Sequence, residues 1–229
     1  MTITTCVFDA YGTLFDVNAA AREAAREPGR DALAACWQKL ADDWRAKQLQ
    51  YTWHRALVRE HRDFWLVTQD GLDWALENNG LDGDSALRER LLKLYWQLSA
   101  YGEVPAMLRA LKGAGMNTAI LSNGSPAMLD GAVHSAELGA LLDEVLSVEE
   151  VGIFKPAPEV YELVTKRFSS PARHILFVSS NCWDALAARG FGFQAVWVNR
   201  SRAPLDRLGH TPRAVLDDLT TIPDLAKEF

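Results

Sequence analysis

From residue 103 onward, the chain alternates between short apolar runs and segments with helical character. The runs are too short for typical helices and consist mostly of Val, Ile, Leu and Ala, as expected for strands that are buried on both faces. Strands that alternate with helices predict a parallel sheet covered on both sides. We expect these strands at residues 118–121, 145–148, 175–178, 195–198 and 214–216, with helices that begin at Pro105, at Pro126, at Pro156 or Pro158, and near Asp184.

One more apolar run, Cys6-Val7-Phe8, lies near the start of the chain and ends on Asp9. Between residues 17 and 99 we expect helices and no strand, because apolar side chains recur three and four residues apart, as on one face of a helix. The first strand must therefore join the sheet across a helical insert. We predict an α/β fold with a Rossmann-like parallel sheet in residues 1–15 and 100–229, and an all-helical cap domain in residues 16–99.

Polar residues next to apolar periodic segments predict where the helices begin. Four such positions are expected to cap or start helices: Asn18 for a helix through Glu27, Thr68 for a helix that stops at Asn79-Gly80, Asp84 or Ser85 for the next one, and Ser125 for the helix that starts at Pro126.

Charge and cysteine content narrow the class of protein. The net charge is −6 and the isoelectric point is about 5.4. No Lys- and Arg-rich block occurs, so nucleic acids and anionic membrane surfaces are not expected as partners. Cys6, Cys36 and Cys182 are odd in number and far apart, which argues against a disulfide framework or a zinc site.

Nothing at the start of the sequence has the basic and apolar pattern of a signal peptide, and no apolar stretch approaches the roughly 20 residues of a membrane span. We therefore expect a cytoplasmic protein.

Polar residues follow three of the predicted strands. Asp9 comes after the first, Ser122-Asn123 after the next, and Ser179-Ser180-Asn181 after a later one, while Lys155 lies in a loop before a helix. In open parallel sheets, ligands bind at the carboxyl ends of the strands. These residues therefore predict one site, although each also has a simpler structural interpretation. Asp9 and Ser125 can be helix caps, and Lys155 can be a surface lysine.

The turn at Ser122 to Pro126 can hold an anion on the free backbone N–H groups of a helix N-terminus. Asp184 can pair with Lys155, or it can be only an acid that the helix dipole favours in a first turn.

Several other kinds of active site find no support in the sequence. It contains no HExxH helix, no Cys/His cluster and no nucleophile elbow with a Ser-His-Asp order. Asp9 is therefore the best nucleophile candidate, acting through a covalent carboxylate ester.

The order of these residues resembles the four motifs of the haloacid dehalogenase superfamily: Asp9 to Thr13, the Ser122-Asn123 turn, Lys155-Pro156, and the turn Ser179-Ser180-Asn181 with Asp184. The resemblance covers essentially the whole chain, including a helical cap after the first strand. Phosphatases of this superfamily carry a second Asp two places after the nucleophile, where this chain has Tyr11. Their last motif has an acidic residue that helps to hold Mg²⁺, and this chain has Val178-Ser179-Ser180-Asn181 where a Gly-Asp pair is expected.

Both departures suit the displacement of a halide, because a halide needs neither a proton donor nor a metal that neutralises phosphoryl oxygens. The sequence is similar to the L-2-haloacid dehalogenases themselves. The stretch Trp44 to Leu49 with Tyr51-Thr52-Trp53 resembles the cap segment that supplies their halide-binding arginine.

The resemblance implies that Asp9 attacks C2 of an L-2-haloalkanoic acid, that Arg45 receives the halide, and that water then hydrolyses the Asp9 ester to release a D-2-hydroxy acid. It implies no metal and no cofactor. The catalytic residues would be Asp9, Thr13, Arg45, Ser122, Lys155, Tyr161, Ser179, Asn181 and Asp184. The substrate-binding residues would be Ala10, Tyr11, Arg45, Leu49, Phe64, Ser122, Asn123 and Trp183.

Some members of this group carry Gln directly after the cap arginine, where this chain has Ala46, so the chain-length and halide preferences stay open. Relatives are often dimers, and we expect a homodimer. Two alternatives are enzymes: a Mg²⁺-dependent phosphatase of the same superfamily, and a hydrolase of a related carboxylate such as azetidine carboxylate or fluoroacetate. A third, a non-catalytic binding module on the same fold, is disfavoured because Asp9, Arg45, Ser122, Lys155 and Asp184 are all present.

Overall fold

The computed structural model describes residues 2–229 and contains a six-stranded sheet in the order β3-β2-β1-β4-β5-β6. Every neighbouring pair of strands is parallel. The strands are β1 (Thr5–Phe8), β2 (Asn117–Ser122), β3 (Glu144–Ser147), β4 (Ile175–Ser179), β5 (Gln194–Val198) and β6 (Ala214–Leu216). The prediction of a parallel Rossmann-like sheet is confirmed, and each predicted strand is present within two residues of its expected ends.

The first strand lies in the middle of the sheet, between β2 and β4. Its residues are completely buried, because neighbouring strands cover its edges and helices cover its faces. Phe8 is in register with Ile120 on one side and with Val178 on the other. Asp9 therefore emerges beside the carboxyl ends of β2 and β4.

Six helices lie between β1 and β2, with no strand among them, and the first five are α1 (Ala19–Ala24), α2 (Asp31–Ala34), α3 (Trp37–Val58), α4 (Phe64–Asn78) and α5 (Ser85–Trp96). The longest of them, α3, packs mainly against α4. The other helices flank the sheet: α6 (Val104–Gly113), α7 (Pro126–Ser135), α8 (Pro158–Arg167), α9 (Cys182–Phe191) and α10 (Ile222–Glu228). Over residues 2–229, no helix is both long and apolar enough to cross a membrane.

The helical insert is tied at its base by backbone contacts. Phe15 forms a β-bridge with Ala100, and the Asp16 N–H donates to the carbonyl of Ser99 at 3.0 Å. These contacts join the two ends of the insert, which supports a boundary near residues 15 and 99. The domain limits 1–15 with 100–229 and 16–99 stay a prediction.

Three helix predictions differ in detail from the structure. The helix assigned to a Thr68 cap begins at Phe64, where the side chain of Asp63 accepts the Trp65 N–H at 2.6 Å. Thr68 lies inside this helix instead. The first helix ends at Ala24, three residues before Glu27. The side chain of Ser125 makes no capping hydrogen bond, although the residue does precede α7.

Other predicted starts agree with the structure. Asp84 caps α5 by accepting the Leu87 N–H at 2.8 Å, and Pro158 is the proline that begins α8. The last helix, α10, was not predicted.

Candidate active site

Asp9 lies at the carboxyl end of the central strand and is 6% exposed. Its Oδ1 accepts a hydrogen bond from Lys155 Nζ at 3.2 Å, and its Oδ2 accepts from Thr13 Oγ1 and Asn181 Nδ2, both at 3.0 Å. These three donors come from three different loops that follow strands of the sheet. The carboxylate is therefore held in one orientation before any substrate arrives.

A tight turn after Asp9 brings Thr13 back to the carboxylate. The carbonyl of Ala10 accepts the N–H groups of Leu14 and Phe15 at 2.9 and 3.0 Å. Gly12 has a φ of 89°, a left-handed conformation that favours glycine, and a Cβ there would lie 3.1 Å from Ser180 Oγ. The buried Ala10 thus contributes to the site through its backbone.

Lys155 bridges two carboxylates in the interior. Its Nζ lies 2.9 Å from Asp184 Oδ2 as well as 3.2 Å from Asp9, and its side chain is 1% exposed. Burial lowers the pKa of Lys155, but the Asp184 and Asp9 carboxylates raise it, and the net pKa is above the ordinary value. Lys155 is therefore a buried cation, and the interpretation as a surface lysine is wrong.

Asp184 lies in the first turn of α9 and is completely buried. Its Oδ1 accepts a hydrogen bond from the Tyr161 hydroxyl at 2.7 Å. Burial raises the pKa of Asp184 and the Lys155 ammonium lowers it, with a net increase to which Asp9 also contributes. Burial and Asp184 raise the pKa of Tyr161 well above its ordinary value, so this phenol stays protonated and donates a hydrogen bond to the carboxylate. Of the two interpretations of Asp184, pairing with Lys155 is confirmed.

The loop after β4 is fixed by its own hydrogen bonds. Ser179 Oγ accepts the Asn181 N–H at 3.1 Å, and the Ser180 N–H donates to Thr13 Oγ1 at 2.8 Å. Trp197 Nε1 donates to the carbonyl of Ser180 at 3.1 Å. This loop therefore places the side-chain amide of Asn181 beside Asp9 and holds Thr13 in position through the Ser180 N–H.

Arg45 reaches this site from the helical insert. It lies on α3, and its Nη2 is 3.2 Å from the carbonyl oxygen of Tyr11 and 3.3 Å from Asn181 Oδ1. Its Nη1 donates to Gln48 Oε1 at 2.7 Å. A guanidinium has five N–H donors, and these three acceptors are uncharged, so the group retains both positive charge and donors for an anion.

Ser122 and Asn123 follow β2 and have different surroundings. Ser122 is 1% exposed, and its Oγ accepts the Gly124 N–H at 3.0 Å, so the hydroxyl proton is free to be donated elsewhere. Asn123 Oδ1 accepts the backbone N–H of Lys155 at 3.0 Å. The side-chain oxygen of Asn123 therefore fixes the lysine loop.

Aromatic rings border the site on the side of the insert. Tyr11 stacks on Tyr95 with ring centroids 5.6 Å apart and packs against Phe64 at 5.9 Å. Burial, with Tyr95 next in effect, raises the pKa of Tyr11 well above its ordinary value. Leu49 is only partly buried on α3.

Trp183 contacts Trp53 edge-to-face at 5.5 Å. Both tryptophans line an apolar groove of about 610 Å³, together with Pro156, which follows Lys155 directly. The groove therefore runs along the outside of the loops that carry the site.

One residue next to Arg45, Gln48, was not predicted as part of the site from the sequence. Ala46 was expected to affect the halide pocket but is exposed, whereas Gln48 is 1% exposed and binds Arg45. A polar residue three positions after Arg45, on a helix face with Trp44 and Thr52, was the signal that could have revealed it. Within residues 2–229, no group of three or more His, Cys, Asp or Glu side chains is arranged to hold a metal ion.

Comparison with known proteins gives a consistent picture. Residues 3–192 match the haloacid dehalogenase-like hydrolase family. (S)-2-haloacid dehalogenase 1 of Pseudomonas sp. (strain CBS-3) is 43% identical over 223 residues, which cover 97% of this chain and 96% of the relative.

Two solved structures are also similar. A dehalogenase with an intermediate complex has a TM-score of 0.93 and 36% identity, and the match covers 99% of this chain and 98% of the other. L-2-haloacid dehalogenase from Xanthobacter autotrophicus with chloropropionic acid covalently bound has a TM-score of 0.86 and 34% identity, with 98% of each chain covered.

Proposed function

The chain belongs to the haloacid dehalogenase-like hydrolase family, and we propose that it hydrolyses L-2-haloalkanoic acids to D-2-hydroxy acids through an ester on Asp9. The observation that carries this proposal is the buried Asp9 carboxylate, which is bound by Lys155, Thr13 and Asn181 and is linked through Asn181 to the Arg45 guanidinium. The dehalogenase structure with covalently bound chloropropionic acid supports an ester intermediate.

In the first step, a carboxylate oxygen of Asp9 attacks C2 of the substrate from the side opposite the halogen. The new C–O bond forms as the carbon–halogen bond breaks, and the halide leaves with the electron pair, which inverts the configuration at C2. The Asp9 carboxylate is oriented for attack, because Lys155, Thr13 and Asn181 bind it and leave some of its lone pairs without a hydrogen bond.

Arg45 accepts the departing halide. Negative charge develops on the halogen in the transition state, and a fixed cation in a water-poor site stabilises that charge more strongly than it stabilises the neutral carbon–halogen bond. Asn181 contacts both Arg45 and Asp9, at 3.3 and 3.0 Å, and so sets the spacing between nucleophile and halide acceptor.

Ser122 and the N-terminus of α7 bind the carboxylate of the substrate. The Ser122 hydroxyl donates one hydrogen bond, and backbone N–H groups ahead of Pro126 supply others. Two anchors, this one and the halide site at Arg45, then present one face of C2 to Asp9, which selects the L enantiomer.

In the second step, water adds to the carbonyl carbon of the Asp9 ester. The bond between that carbon and the alkyl oxygen breaks, the alkoxide takes a proton, and one proton is released to solvent overall. Lys155 and Asp184 hold opposite charges beside the ester and balance the change in charge at Asp9, while Thr13, Ser179 and Asn181 order the loops around the water.

Tyr11, Leu49, Phe64 and Trp183 are proposed to surround the alkyl group of the substrate. Tyr11 and Phe64 are buried next to the Asp9 loop. Trp183 lines the 610 Å³ groove beside Pro156, which follows Lys155 directly.

The phosphatase alternative is disfavoured by Tyr11. Its phenol stands where such an enzyme needs a proton donor, and a pKa raised well above the ordinary value makes it a poor general acid near neutral pH. Departure of a halide needs no proton.

Chloride release from L- and D-2-chloropropionate, measured with and without EDTA, tests the proposal. Release from the L form alone, unaffected by the chelator, is expected. Release that needs added Mg²⁺, or cleavage of phosphate esters only, would refute it. Asp9→Ala serves as the inactive control. In single-turnover hydrolysis in ¹⁸O water, the label should enter Asp9 first, and a label found directly in the product would exclude the ester.

We also propose a homodimeric, cytoplasmic protein with a cap over residues 16–99. Light scattering after size-exclusion chromatography measures the assembly, and a mass that corresponds to one chain would contradict the dimer.

A further inference from the structure

Gln48 is a buried amide next to the proposed halide acceptor. It lies one helical turn after Arg45 on α3, is 1% exposed, and accepts a hydrogen bond from Arg45 Nη1 at 2.7 Å. Buried polar side chains are almost always hydrogen-bonded, and an amide in an otherwise apolar helix interface needs partners on both its oxygen and its nitrogen. Its other partners are Thr68 on α4 and Tyr95 on α5.

The hydroxyl of Thr68 fixes which way the Gln48 amide points. Thr68 Oγ1 donates its single proton to the carbonyl of Phe64, one turn earlier on α4, at 2.8 Å. It can therefore only accept from Gln48, whose Nε2 lies 2.7 Å away. With the nitrogen directed at Thr68, the oxygen must face Arg45. The Tyr95 hydroxyl, 3.1 Å from Nε2 and 3.3 Å from Oε1, fits either orientation and decides nothing.

The bond to Gln48 is the shortest that Arg45 makes. The bonds to the Tyr11 carbonyl and to Asn181 Oδ1 are 3.2 and 3.3 Å, and both cross from the insert to the sheet domain. A flexible arginine held only by those two contacts would sample several orientations. The 2.7 Å contact within its own helix restricts the plane of the guanidinium before substrate binds.

An amide is suited to this task because its oxygen is neutral. A carboxylate at the same place would form a buried ion pair with Arg45 and would compete with the halide for its charge. Gln48 orients the guanidinium and leaves the positive charge available.

We infer that Gln48, held in one orientation by Thr68, is a positioning residue that directs the Arg45 guanidinium at the departing halide. This inference rests on the proposed dehalogenation. It adds a residue of α3 and a residue of α4 whose side chains make no hydrogen bond to Asp9.

The test compares single-turnover halide release from L-2-chloro-, L-2-bromo- and L-2-iodopropionate. Chloride is the poorest of these leaving groups and depends most on stabilisation by Arg45. Gln48→Leu should therefore slow chloride release by about 10- to 100-fold, and iodide release several-fold less. Gln48→Glu should lower the affinity for free chloride as a competitive inhibitor.

Thr68→Val is the decisive variant, because it keeps the shape of the side chain and contacts neither Arg45 nor Asp9. Loss of its acceptor removes the hydrogen bond that anchors the amide nitrogen, so the amide oxygen is held less firmly at Arg45 and the same leaving-group dependence should appear in weaker form. Gln50→Leu is the matched control, since Gln50 lies on the exposed face of α3 and binds only Lys47, and it should leave all three rates unchanged.

Equal slowing of all three halides in Gln48→Leu and Thr68→Val would indicate a merely structural role and would overturn the inference. So would unchanged rates in folded Thr68→Val protein. Failure of the proposed function is a different result, because the unsubstituted protein would then release no halide at all.

Discussion

Lys155→Met would leave two buried carboxylates without their cation. Lys155 Nζ is 3.2 Å from Asp9 and 2.9 Å from Asp184, and the three side chains are 1%, 8% and 0% exposed. Removal of one partner from a buried ion pair costs about 3–5 kcal/mol, because the remaining charge stays desolvated. We expect the free energy of unfolding to fall by about this amount at pH 7, out of the roughly 5–15 kcal/mol that is usual for a folded protein.

The pH dependence of this variant has a defined sign. Without the ammonium, burial and repulsion from Asp9 leave the pKa of Asp184 further above its value in the unfolded chain. Between those two pKa values the folded variant binds more protons than the unfolded chain, so its free energy of unfolding rises as the pH falls. The rise should approach about 1.4 kcal/mol per pH unit while one carboxyl titrates.

Urea denaturation followed by tryptophan fluorescence at pH 5 to 8 measures both effects. With a slope of about 2–3 kcal/mol per molar urea, the midpoint at pH 7 should fall by about 1–2.5 M. Lys166→Met is the matched control, because Lys166 pairs with Glu162 on the surface and is 72% exposed. That change should cost less than about 1 kcal/mol.

Two results would refute the argument. One is a Lys155→Met protein as stable as the Lys166→Met control. The other is a Lys155→Met protein whose stability falls from pH 8 to pH 5. As a further check, Asp184→Asn in the same chain as Lys155→Met removes the unpaired charge and should recover part of the lost stability.

Three further predictions follow from individual contacts. Gly124→Ala would place a Cβ 2.7 Å from Tyr11 Cε2, so the ring must move. We expect the free energy of unfolding, measured by urea denaturation, to fall by about 1–3 kcal/mol and KM to rise. An unchanged KM would contradict a role of the ring in substrate binding. Tyr161→Phe removes the 2.7 Å hydrogen bond to Asp184 and should lower the free energy of unfolding by about 1.5–3 kcal/mol, whereas no change would mean that the bond adds nothing. In the unsubstituted protein, the stabilisation from Lys155 is complete below pH 10.5, the ordinary pKa of a lysine, and is lost as the pH rises through the higher pKa of Lys155 in the folded state. Above pH 10.5, the free energy of unfolding of the unsubstituted protein should therefore decline more steeply with pH than that of Lys155→Met.

Most of the sheet could be predicted from the sequence, because each strand is a short apolar run between helices. The position of Asp9 at the carboxyl edge followed from the same pattern, since parallel strands all end on one side. Helix starts were less predictable. Thr68 has the hydroxyl of a capping residue, but its partners are Phe64 within the helix and Gln48 on α3, and a contact between two helices cannot be found from local pattern.

The sequence by itself determined the fold class, the family and the kind of bond that the site is suited to break. The last of these rests on Tyr11 and Ser180, which occupy places where a phosphatase of this superfamily has acids. Such identities are properties of single positions in motifs, and they do not depend on how the chain packs.

Only the tertiary structure decided how the two parts of the chain share the site. Arg45 contacts Asn181, which is 136 positions away, and its shortest hydrogen bond is to Gln48. Ala46, the neighbour that the sequence singled out, is exposed. Helical periodicity predicts which face of α3 is buried, but the direction of a long side chain depends on the partners that other elements place around it. For Arg45 those partners are an amide locked by Thr68 and two acceptors at the edge of the sheet.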